Sequence, residues 1–302
     1  MHVSVAYLTV VLVWATTPLG IALSGETLHP LFSAAARMAL AASLGWLLLK
    51  LLRIPLPWTR PALISYSYAL LGVFLALSLS YMAAQTVPSG LISVLYGLSP
   101  MLSAVLAQWL LQEPAMPLNR WLACSIALGG LVFIFLDDLA AAEGMLVGLL
   151  MLLAAVVLFS ISAVMVKRTA APLHPLAQTV GTLVLSLPLF VVTWWLLDGT
   201  APVLDWRSPS PWATLYLALF GSLLGFVCYF HILGRLSPST VALITLITPV
   251  FALYLGYGFN QEQLSPALWG GSALILLGLA LFFFGSRLRV MGGKLRARMS
   301  LS

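Results

Sequence analysis

The residues best suited to handling a solute form stripes of hydroxyls and aromatic rings rather than a catalytic set. Ser89, Ser93, Tyr96, Pro100 and Ser103 follow one another at spacings of 4, 3, 4 and 3, one face of a helix. Ser239, Thr245, Thr248 and Pro249 make a similar run later in the chain. Ser78, Tyr81, Met82 and Gln85, together with Ser222, Phe226, Tyr229 and His231, extend the pattern. Hydroxyls between aromatic walls bind amphipathic molecules through hydrogen bonds and ring contact. The plainer alternative stays open, since Ser and Thr in apolar helices also bond their own backbone or join helices together.

Four further residues stand out by position. Trp14, followed by Thr16, Thr17 and Pro18, is the tryptophan at the centre of an apolar segment, suited to stack on a planar solute or to fill space between helices. Arg37 is the permanently charged residue set clearly inside such a segment. It suits a substrate carboxylate, and it suits still better a structural role, capping backbone carbonyls or reaching outward to headgroups. Pro100 and Pro249 each delete a backbone hydrogen bond deep in a segment, which makes a hinge or a static kink. The candidate pathway is therefore Trp14, Thr17, Ser78, Tyr81, Gln85, Ser93, Tyr96, Ser99, Tyr229, Thr245 and Thr248, with Arg37 as the intramembrane charge.

No catalytic residue, metal or cofactor is expected. His2, His29, His174 and His231 are far apart, Cys124 and Cys228 are lone, and no G-x-x-x-x-G-K-[ST] run exists to hold a nucleotide. No apolar segment carries Asp or Glu near its middle, so a carboxylate proton relay has no candidate. His231 near Ser222 is the one weak pairing that a membrane-embedded hydrolase or acyltransferase would use, and such an enzyme is the competing possibility.

Composition sets the solvent for all of these groups. Of 302 residues, 14 are Lys or Arg and 8 are Asp or Glu; 7% are charged and 62% hydrophobic. An ordinary soluble domain carries about 25% charged residues. This chain cannot clothe a water-facing surface, which excludes a cytosolic enzyme, a nucleic-acid module and a disordered chain. Its net charge of +6 gathers in Arg287, Arg289, Lys294, Arg296 and Arg298, a basic tail suited to anionic lipid headgroups.

A membrane-crossing helix needs about 20 mostly apolar residues. Ten candidate spans are read: Val5–Leu23, Leu31–Leu52, Leu63–Ala83, Ser89–Leu111, Leu118–Leu136, Gly144–Val166, Pro175–Leu197, Trp212–Leu233, Ser239–Phe259 and Ala267–Gly285. The first is expected to stay as a span, because the first cation of the chain is Arg37. With the N-terminus inside, 12 cations fall inside, one outside (Arg207) and one within a span. That partition predicts two cytoplasmic termini. The membrane expected is a bacterial-type cytoplasmic one.

The chain also repeats itself. His29-Pro30-Leu31 recurs as His174-Pro175-Leu176 at an offset of 145, and Pro100, Glu113 and Gly129 recur as Pro249, Glu262 and Gly278 at 149. Each half then holds five spans, and an odd number inverts the second half relative to the first. Inverted repeats belong to secondary transporters, which alternate access around a site between the repeats. The predicted fold is an all-α integral membrane protein of two inverted five-helix repeats, residues 1–138 and 139–286, followed by the tail 287–302. Trp14 and Arg37 find only Ser160 nearby and Thr182 as counterparts.

On these prolines, glutamates and glycines, with Trp14 and Arg37, the chain resembles the EamA-type branch of the drug/metabolite transporter superfamily. The resemblance implies a carrier for amino acids, related metabolites or amphipathic toxic compounds, working as an exporter. Partners implied are a small-molecule substrate and the lipid bilayer, with the oligomeric state open and a monomer included. The uncharged aromatic lining suits amphipathic solutes better than phosphates, which want several buried cations.

Overall fold

The structure, a computed structural model, describes residues 2–112, 115–141, 145–200, 202–236, 241, 244–259 and 265–299. Among these residues the chain forms helices and no strand. In order they are α1 (Val3–Ser24), α2 (Pro30–Leu51), α3 (Arg60–Ala83), α4 (Ser89–Leu110), α5 (Leu118–Ala141), α6 (Met145–Thr169), α7 (Pro175–Leu197), α8 (Pro209–Leu233), α9 (Ile244–Phe259) and α10 (Pro266–Met299). Seven of them, α1 to α4 and α6 to α8, are long and apolar enough to cross a membrane, while α5 and α10 contain the shorter apolar stretches Leu118–Ile134 and Pro266–Phe282. Each of the ten spans read from the sequence thus coincides with one of these helices among the described residues. The basic segment after residue 286 continues α10 rather than leaving it.

The His-Pro-Leu repeat is a helix start. Pro30 and Pro175 open α2 and α7, where the missing N–H is one that the first turn could not use. His29 Nδ1 accepts the Leu31 N–H at 3.3 Å and His174 Nδ1 accepts the Leu176 N–H at 3.2 Å. Each histidine therefore caps one free amide of its helix. Beyond the far end of α7, the Asp198 carboxylate takes the Thr200 hydroxyl at 2.8 Å and the Trp194 indole N–H at 3.2 Å. The Thr200 bond, more than any other neighbour, holds its carboxyl below the usual range.

The packing is two-fold. Contact of α1 with α9 is matched by α6 with α4, and contact of α3 with α6 by α8 with α1. Likewise α3 with α7 is matched by α8 with α2, while α2·α7, α4·α9 and α5·α10 pair repeat mates directly. Two departures from the α-helix also recur: α3 passes through a π-helical stretch at Leu71–Ala76, and α8 at Leu217–Leu224. Outward faces are apolar, with Leu8, Leu12, Leu128 and Leu196 more than half exposed, as lipid-facing side chains are. The exposed tryptophans Trp46, Trp58, Trp109, Trp121, Trp195, Trp206, Trp212 and Trp269 sit towards helix ends or in connections.

The α5–α10 pair closes on small residues, because backbones in lipid approach only where side chains are absent. A Cβ added at Gly271 would meet the Gly130 carbonyl oxygen at 2.7 Å, and one at Gly278 the Ala123 carbonyl oxygen at 2.7 Å. Gly129, the glycine matched to Gly278 in the sequence, meets nothing within 4 Å among the described residues; the seam glycine of the first half is Gly130. Ala substitution separates the two. Gly271→Ala is expected to cost about 1–3 kcal/mol through overpacking, whereas Gly129→Ala is neutral or stabilises by up to about 1 kcal/mol through helix propensity. Thermal unfolding in detergent micelles checks the contrast.

Candidate functional site

The halves leave one described cavity of about 100 Å³ between them. α1 contributes Trp14, Thr17, Pro18 and Ile21, α2 Arg37, α3 Gly72, Leu77 and Ser80, and α4 Ile92, Ser93, Tyr96 and Ser99. The second half adds Phe159 from α6, Gly221 and Phe226 from α8, and Thr248 from α9. Trp14 is the twelfth of the 22 residues of α1, so the cavity lies at mid-helix depth.

Local irregularity shapes this space. α4 is interrupted at Gly97 and Leu98 between its segments Ser89–Tyr96 and Ser99–Leu110. Pro100 lies in the first turn of the second segment, where it removes no bond that the helix would make. It therefore begins a helix rather than kinking one. Pro249 is different and lies inside α9. Gly72 and Gly221, each within a π-helical stretch, both face the cavity. A Cβ on Gly221 would stand 2.9 Å from Arg37 Nη2.

Arg37 is only 1% exposed. Its Nε–H donates to Ser222 Oγ at 2.7 Å and its Nη1–H to the Tyr81 hydroxyl at 3.3 Å. Neither backbone capping nor reaching to headgroups describes this geometry; the guanidinium is held inward against the cavity by two neutral hydroxyls. Ser80 and Tyr96 share a hydroxyl bond of 2.8 Å. Phe159 stands at the centre of a ring cluster, with its centroid 5.9 Å from Trp14, 5.6 Å from Tyr96 and 6.0 Å from Tyr229.

Of the residues singled out by sequence, Trp14, Thr17, Arg37, Ser93, Tyr96, Ser99 and Thr248 line the cavity. Tyr81 and Tyr229 stand behind it, the first on Arg37 and the second 5.0 Å from the Trp14 ring. Ser78 is not in the lining, and its buried hydroxyl has no hydrogen-bond partner among the described residues. Gln85 is exposed in the α3–α4 connection, its amide against Gly25. The side chain of Thr245, and Glu113 and Glu262 altogether, lie outside the described residues. Phe159 escapes the sequence reading, yet it lies at the His-Pro-Leu offset of 145 from Trp14, so the signal was the offset itself. The pairing of His231 with Ser222 does not form. His231 Nδ1 lies 2.8 Å from Arg235 Nη1, and Ser222 is engaged by Arg37.

Ten apolar helices in two inverted halves around a mid-depth cavity define a multi-pass membrane protein of transporter architecture. The chain belongs to the EamA-like transporter family, whose model matches residues 3–136 and 146–284. It is 25% identical to protein PagO of Salmonella typhimurium over 87% of this chain and 88% of that one. It is 25% identical to the uncharacterized inner membrane transporter YedA of Escherichia coli K12, over 92% and 89%. Protein PecM of Dickeya dadantii is 29% identical over 69% of each chain. A solved crystal structure shares the fold, with a TM-score of 0.67 over 94% of this chain and 97% of that one at 19% identity.

Removing one acceptor of Arg37 tests the site's geometry. Ser222→Ala leaves a buried charged N–H without its 2.7 Å partner and is expected to cost about 1.5–3 kcal/mol of stability. Ser222→Thr keeps the hydroxyl and restores most of it, read as thermal unfolding midpoints in detergent.

Proposed function

We propose that the protein is a secondary carrier that exports small organic solutes across the cytoplasmic membrane by alternating access at this cavity. The observation that carries the proposal is the cavity's construction. Side chains from both inverted halves meet at mid-depth, beside an interrupted helix, the arrangement through which one repeat rocks against the other. Hydroxyls of Ser80, Ser93, Ser99 and Thr248 among the rings of Trp14, Tyr96 and Phe159 suit amino acids, related metabolites or amphipathic compounds. Both termini are assigned to the cytoplasm, following the cation partition, and the two repeats to residues 1–138 and 139–286. Pro249 is the hinge candidate that remains inside a helix. The names of relatives, among them an inner membrane transporter, support the location.

In proteoliposomes, preloading with a transported solute is expected to accelerate uptake of its label. Trp14→Ala and Tyr96→Ala are each expected to cut that flux several-fold at unchanged membrane abundance; normal flux in both removes the cavity from the pathway. For orientation, cysteines replacing Glu113 and Glu262 are expected to react with impermeant reagents from opposite sides of the membrane. Labelling of both from one side overturns the inverted assignment.

A further inference from the structure

Resting on that carrier reading, we infer that the cavity selects solutes bearing a single negative charge on a flat apolar body, with Arg37 holding the carboxylate. The first observation is an uncompensated charge. Arg37 is nearly wholly buried, and its described partners are two neutral hydroxyls. Among the described residues, no acidic side chain lines the cavity. A buried cation without an anion is costly, and an anion bound against it recovers that cost. The second observation is geometric. A guanidinium has five N–H donors, and Ser222 and Tyr81 occupy one on Nε and one on Nη1. Gly221 lets Nη2 pack close against its backbone, since a Cβ there would stand 2.9 Å away. The Nη2 protons and the second Nη1 proton have no described partner in a guanidinium that lines the cavity. A carboxylate is the planar, two-oxygen group that such a fork takes in bidentate fashion.

The remaining lining chooses the rest of the molecule. Trp14, Tyr96 and Phe159 meet edge to face, with centroids under 6 Å apart along the series, and give an apolar wall for a ring. A cavity of about 150 Å³ admits benzene, so the space of about 100 Å³ here takes one ring with slight widening. Charge sets the exclusions. A phosphate dianion asks for a second cation, and a cationic amphiphile meets Arg37 with no described acid beside it.

Benzoate at pH 8, with benzamide, benzylamine and phenyl phosphate as comparisons, supplies the test on the purified full-length protein in proteoliposomes. Preloaded benzoate is expected to accelerate labelled benzoate uptake at least about tenfold over each comparison solute exchanging with itself, the size of one charged hydrogen bond. Arg37→Gln is expected to lose that acceleration and Arg37→Lys to keep part of it. Benzamide or benzylamine exchanging as well as benzoate, or Arg37→Gln retaining benzoate exchange, overturns the anion inference while the carrier stands. Acceleration by no solute of the panel overturns both. If Arg37→Gln fails to fold, thermal stabilisation of the wild-type protein decides: benzoate is expected to raise the unfolding midpoint where benzamide and benzylamine do not, and equal shifts overturn the inference.

Discussion

In hydrocarbon a peptide group without a partner costs several kcal/mol, and this constraint governs where the chain is allowed to be irregular. Long uninterrupted helices face lipid. The departures occur where side chains from both halves meet: the break at Gly97 and Leu98, and the π-helical stretches around Gly72 and Gly221. Each of these borders the one described cavity. Arg37 obeys the same rule, turned inward and held by Ser222 and Tyr81 rather than left towards lipid. Irregular backbone and buried polar groups are therefore concentrated around a small volume between the halves.

The internal two-fold explains how such a volume arises from a repeated unit. Each half brings a histidine-capped helix, a π-helical stretch and a proline-bearing fourth helix. Ser99 and Thr248 are repeat mates at 149, and so are Gly72 and Gly221, and all four line the cavity. Trp14 and Phe159 are mates at 145 and touch across it. The α5–α10 seam, by contrast, holds close backbone approaches at glycine and alanine flanked by apolar side chains such as Ile134 and Ile275, a fastening rather than a lining.

Much of this was legible in the sequence because lipid leaves few choices. Span positions follow from runs of apolar residues, and the two inverted halves from His-Pro-Leu and Pro–Glu–Gly. What escaped depends on backbone geometry that side-chain types do not encode. The π-helical stretches read as ordinary apolar helix. Pro100 looked like a kink because the break just before it carries only Gly97 and Leu98. Gly129 was matched to Gly278 by counting, whereas in the seam Gly278 lies against Ala123 and Ala127, and the first-half glycine in contact is Gly130, against Gly271. Ser78 and Gln85 satisfied the helical spacing that identified Ser93 and Tyr96, yet one is absent from the cavity lining and the other sits in a connection. Periodicity locates a face and does not say which face is opposite a gap.

The position of Arg37 is filled in the second half by Thr182, which donates to the Gln178 carbonyl oxygen at 2.8 Å and accepts from its amide at 3.3 Å. The duplicated units have thus ceased to be interchangeable. An ancestor assembled from two identical copies of the first half would have set two guanidiniums about the central axis, repelling each other in a medium that screens poorly. One built from two copies of the second would have had none. Holding both halves in a single chain is what permits an odd number of charges inside a symmetric frame.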